Sequence, residues 1–181
     1  MEATNAGNNL VLTFTLFESR LLQHILKQII ANYQIKPERL DAKSAAAWYS
    51  TQGCQTADMS ADETHDWLET LHQYKSANVQ LLTKWFRRLA VPKTVPSQLR
   101  IKLEDVSVLL TALNDHRLLK AAQHDIGQPE MDLRTVSAFN ELDLSKQKAL
   151  CEIEFLAGLI DQILKFLPGN PGNWQGSGDV V

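Results

Sequence analysis

In the run "ALNDHRLLKAAQHDIG", residues 112–127, the side chains of Asn114, Asp115, His116, Arg117 and His124 interrupt an apolar helical pattern. A carboxylate, a guanidinium and two imidazoles serve acid–base catalysis, anion binding or a buried ion-pair clasp. Helical spacing sorts them. Val108, Ala112, Asp115, Leu119, Ala122 and Ile126 share one stripe, and Val106, Leu110, Leu113 and Arg117 the adjoining one. Asp115 and Arg117 are thus expected at the core face or its edge, two residues apart and unable to pair comfortably along the helix. An unpaired buried charge is very costly, so each calls for a partner on another element. Glu18 and Arg20 early in the chain, and Glu152 and Glu154 late in it, are the candidates. His116 and His124 diverge by roughly 80° around the helix and are poorly placed to bind one metal. The favoured reading is a buried polar network that fixes helix register, because structural networks imitate active sites. The sharper alternative is a small enzyme or ligand binder centred on Asp115, Arg117 and His124.

Other residues offer less. His65 and His72 share a helix face about 10 Å apart, too far for one metal without further ligands; they read as solvated, and no metal or cofactor is expected. Cys54 follows Gly53 in a predicted loop and is a candidate redox thiol, whereas Cys151 reads as core packing in an apolar helix. The basic stretch 84–102 holds Lys84, Arg87, Arg88, Lys93, Arg100 and Lys102 with no acid between. Trp48 and Tyr49 beside a predicted loop either cover the core or, with Lys84, Arg87 and Arg88, mark a partner surface. No phosphate-binding Gly-rich loop, HExxH or GxSxG pattern occurs.

These residues need a frame. The 181 residues are 44% hydrophobic and 22% charged, ordinary values for one globular domain. The net charge of −3 argues against a general electrostatic nucleic-acid binder. Two distant cysteines argue for a reducing compartment, and no apolar run suits a signal peptide or a membrane span, so a cytoplasmic protein is expected.

"NLVLTF" and "QLRIKL" alternate as short strands, each feeding directly into a helix. Thr15 with Glu18, and Ser60 with Glu63, have capping-box spacing. The second box opens a helix expected over 61–89, whose acids gather early and bases late, as the helix dipole favours. Gly127 is the expected cap of the helix that carries Asp115, and Ser145 that of a central final helix over 146–167. The expectation is a mainly α bundle of four to five helices with two short strands over residues 10–167. A flexible start at 1–9 and a Gly-rich tail at 168–181 flank it.

At "LLTALNDHRLLKAAQHDIG" the chain resembles a helical bacterial family catalogued as domain of unknown function twenty-seventeen. Its signature falls here on Leu110, Leu113, Asn114, Asp115, Arg117, Leu118 and Gly127. The likeness covers roughly 10–167, its specific part being Asn-Asp-x-Arg-Leu. This chain departs from the actinobacterial pattern in its insertion "WYSTQGCQTADMSADETHDW" and in lacking a close cysteine pair near the N-terminus. The resemblance carries over no established enzymatic activity. It implies regulation, since such genes in actinobacteria often neighbour that of the Clp protease adaptor. The leading expectation is therefore a non-enzymatic regulatory or adaptor module, linked to Clp-type proteolysis or stress response, with a protein partner or a second copy of itself. The runner-up is a DNA-associated transcriptional regulator using 84–102.

Overall fold

Two strand-to-helix junctions organise the protein in the computed structural model, which describes residues 1–49, 58–89, 97–133 and 135–167. Strands β1 (Glu2–Ala6), β2 (Asn9–Phe14) and β3 (Ser97–Lys102) form an antiparallel sheet in that order. Leu10 faces Ile101 and Leu12 faces Leu99 across β2 and β3, and all four are buried. The period-2 alternation read from the sequence thus places one face of each strand on the core. β1 corrects the expectation of a frayed start. Gly7 takes the positive φ of 63° that a two-residue hairpin requires, and Ala3 is buried opposite Leu12.

The helices are α1 (Leu16–Asn32), α2 (Ala42–Tyr49), α3 (Ala61–Ala77), α4 (Val79–Leu89), α5 (Val106–Gln123), the short α6 (Gln128–Met131) and α7 (Val136–Asn140), and α8 (Leu144–Leu164). The protein is mainly helical, with more helices and one more strand than the sequence suggested. Both capping boxes form. The Thr15 hydroxyl accepts from the Glu18 N–H at 3.3 Å while the Glu18 carboxylate accepts from the Thr15 N–H at 2.9 Å, and Ser60 and Glu63 repeat this.

Three boundaries differ from expectation. The helix expected over 61–89 is interrupted at Asn78, whose side-chain amide donates to the Tyr74 carbonyl; Leu82 N–H still bonds the Asn78 carbonyl, so the axis is nearly continuous. At the end of α5 it is Asp125, not Gly127, that turns left-handed, with φ of 51°. The Ile126 N–H then returns to the Ala121 carbonyl at 2.9 Å and buries Ile126, the arrangement of a Schellman stop. Asp143, not Ser145, caps α8. Its carboxylate accepts the Ser145 and Lys146 N–H groups, both at 2.9 Å, and adds negative charge at the positive helix end. Helix α8 is also less central than expected. Ile153, Leu156, Leu159 and Ile163 are buried, but Cys151 and Glu154 are exposed.

Candidate functional site

Asp115 is the hub of the buried polar chemistry. It lies midway along α5 and is 8% exposed. The Tyr33 hydroxyl, at the C-terminal end of α1, donates to Asp115 Oδ2 at 2.6 Å, and Lys75 Nζ in the last turn of α3 donates to the same oxygen. Aromatic rings wall in the ammonium: Lys75 Nζ stands 5.4 Å from the Tyr33 ring centre, 5.2 Å from that of Trp48 and 5.7 Å from that of Tyr49. Trp48 and Tyr49 come from α2, so the centre ties four helices together. Cation–π attraction strengthens as water is removed, and here it helps offset the desolvation of a buried lysine. Burial first, then the Asp115 charge, pushes the Tyr33 phenol far above its ordinary range. The same two causes push Tyr49 up to about 12. Both phenols therefore stay protonated at neutral pH, and Tyr33 remains a donor. The Ser76 hydroxyl adds a bond to the Tyr33 carbonyl at 3.0 Å.

A second clasp begins at the next residue. His116 points about 100° away from Asp115 around the helix, towards α8. Its Nε2 lies 3.1 Å from Glu152 Oε2, and Lys120 Nζ approaches the same oxygen at 3.5 Å. The His116 ring is fully buried, and its Nδ1 has no hydrogen-bond partner. The neutral tautomer with a proton on Nε2 fits this pocket, because protonating Nδ1 would bury an N–H with no acceptor. Burial accordingly lowers the His116 pKa even though Glu152 opposes the shift. Burial would raise the Glu152 carboxyl, but the bond from His116 and the Lys120 charge outweigh it and lower its pKa.

The expected partners of Asp115 are therefore corrected. Glu18 is engaged by the Met1 amino group at 2.9 Å, Glu152 by His116 and Lys120, while Arg20 and Glu154 are exposed. Arg117 is half-buried, with no ion pair among the described residues and a buried, unpartnered Nε. Asn114 is exposed. The two-residue step from Asp115 to Arg117, about 200° around the helix, turns the guanidinium away from the clasp. His124 lies apart from Asp115 and bonds the Ser145 hydroxyl at 2.9 Å. Trp48 and Tyr49 are 5% and 1% exposed, so they wall in Lys75 and are not surface anchors. His72 is half-buried, with Nδ1 unpartnered, while His65 is exposed. Cys54 and Lys93 lie outside the described residues. Lys84, Arg87 and Arg88 are exposed on α4. Among the described residues no group of three or more His, Cys, Asp or Glu side chains could hold a metal ion, and no helix is long and apolar enough to cross a membrane.

Lys75, Tyr33 and His116 were missed. A lysine in the last turn of an acid-first helix reads as a complement to the helix dipole. The signal was its spacing: Lys75 stands seven residues from both Leu68 and Leu82, inside the apolar stripe. Comparison with models of known families, with curated proteins and with solved structures finds no match to this chain.

Proposed function

We propose that the protein is a non-catalytic module with a regulatory or adaptor role, acting through protein–protein contacts. The observation that carries this reading is an open apolar groove where the start of α1 meets α7 and α8. Phe17 is 74% and Leu144 64% exposed. With Leu21 and Phe139 they line a concavity of about 310 Å³, and Phe139 and Cys151 continue into a neighbouring one of about 420 Å³. Contiguous exposed apolar surface of this kind marks interaction sites more often than scattered single residues do. Of the polar residues that stand out in the sequence, Asp115 and His116 are taken up inside the fold by Tyr33, Lys75 and Glu152. A centre at Asp115, Arg117 and His124 has less support, since their contacts diverge. Kinship with the helical family that the chain resembles, and with it a link to Clp-type proteolysis or stress response, belongs to the same proposal and rests on Asn114, Asp115, Arg117 and Leu118.

The test is co-purification from the native host with the wild type and with a Phe17→Glu/Leu144→Glu variant, alongside light scattering. A stoichiometric partner, or a second copy, that is lost in the variant at unchanged thermal stability supports the reading. Identical companions for both proteins, or none across several stress conditions, contradict it.

A further inference from the structure

Helix α4 and strand β3 bring the basic stretch together on one face. Lys84, Arg87 and Arg88 sit at i, i+3 and i+4 of α4, neighbours on the helix surface. Along β3, Arg100 and Lys102 are exposed while Leu99 and Ile101 are buried, so the two cations share the outer face about 6–7 Å apart. Arg88 Nη1 donates to the Arg100 carbonyl at 3.2 Å, an exposed bond that orients one guanidinium over the strand. Lys84, Arg88, Arg100 and Lys102, with one carboxylate, Asp105, line a concavity of about 550 Å³. A second, of about 520 Å³, is lined by Lys84, Arg87 and Arg88. The two share Lys84 and Arg88, so they adjoin along α4 and set the cations out as one track. Lys102 is held by Glu104 at 2.8 Å. Lys84, Arg87, Arg88 and Arg100 have no carboxylate partner among the described residues.

We infer that this track binds the phosphodiester backbone of nucleic acid. Three arginines with free donors suit phosphate, which they grip in a forked, bidentate manner. Such a track suits a ligand of repeating charge better than a single ion. The lining exposes no large apolar side chain for a bilayer, and Trp85 is only 1% exposed, so it offers no ring for base stacking. Recognition is then of backbone, without sequence preference. The net charge of −3 argues against binding over the whole surface, and the inference is confined to the one face where the cations are concentrated.

Fluorescence anisotropy of the full chain with a short labelled DNA duplex and its single strand tests the inference. Polyglutamate and anionic phosphatidylserine vesicles serve as competitors. The expected result is binding at about 50 mM salt that weakens linearly in log–log form with a slope near −3 to −4, as four contacts require. Arg88→Gln/Arg100→Gln should weaken it at least ten-fold and flatten the slope by about 2. Lys84→Gln/Arg87→Gln, which leaves the Arg88–Arg100 bond intact, should do the same, with both variants melting like the wild type. No binding at low salt, binding indifferent to both variants, or competition by polyglutamate or vesicles at equal charge would overturn the inference. The track lies on elements other than the apolar groove, so either proposal can fail alone.

Discussion

Lys75 and the cations of α4 lie within a few helical turns of each other, yet the fold treats them oppositely. Lys75 is 6% exposed, bound to Asp115 and walled in by three aromatic rings. Lys84, Arg87 and Arg88 are exposed and carry no carboxylate partner among the described residues. A buried cation must be neutralised where it lies, and so its energy is committed to the fold. An exposed one costs little to leave unpaired and remains free to meet a ligand. The contrast separates the groups that hold this protein together from those that face outward.

The largest effect should come from breaking the inner cluster on one side. Asp115→Ala leaves Lys75 buried and unpaired, and should cost about 3–5 kcal/mol in chemical denaturation. Smaller effects sharpen the assignment of the rings. Tyr33→Phe removes one of the two donors to Asp115 and should cost about 1–3 kcal/mol. Tyr49→Phe deletes a buried hydroxyl that has no hydrogen-bond partner, and should change stability by no more than about 0.5 kcal/mol while keeping the wall around Lys75. If the two substitutions cost the same, the rings act by packing alone.

Acid should act through the second clasp. The His116 pKa is lowered in the folded state, so the unfolded chain binds the proton more readily. Stability contributed by neutral His116 is present above the unfolded value of about 6.5 and is lost as pH falls towards the folded value, at about 1.4 kcal/mol per unit of difference. Glu152, also lowered, has the same sign but acts below its ordinary range near 4.5. His116→Leu should flatten the stability profile as pH falls below about 6.5. An unchanged slope would place the acid sensitivity elsewhere. The smallest effect belongs to the outer cluster: Arg88→Gln/Arg100→Gln should leave the denaturation midpoint where it was.

Much of this frame was legible in the sequence. The capping boxes at Thr15 and Ser60 rest on local geometry that four residues specify, and β2 and β3 show plain alternation. The inner cluster was half legible. Asp115 fell on an apolar stripe, but its partner lay on a distant helix whose lysine had a local explanation in the helix dipole. His116 falls outside the two adjoining apolar stripes that the spacing defines on α5. That helix is buried towards α2 and α3 on one side and towards α8 on the other, so residues 100° apart are both enclosed. Strand β1 was missed for a different reason. Its one buried side chain, Ala3, gives no periodic signal, and pairing with β2 supplies what the sequence lacks.

Within the Asn-Asp-x-Arg stretch it is Asp115 that serves the fold, through its pair with Lys75. A double-mutant cycle with Lys75→Met and Asp115→Leu, followed by chemical denaturation, tests it most directly. Each single substitution should be strongly destabilising, and the double should cost no more than either single alone, a coupling of about 3 kcal/mol or more. Additive effects, or single substitutions that each change stability by less than about 0.5 kcal/mol, would contradict it.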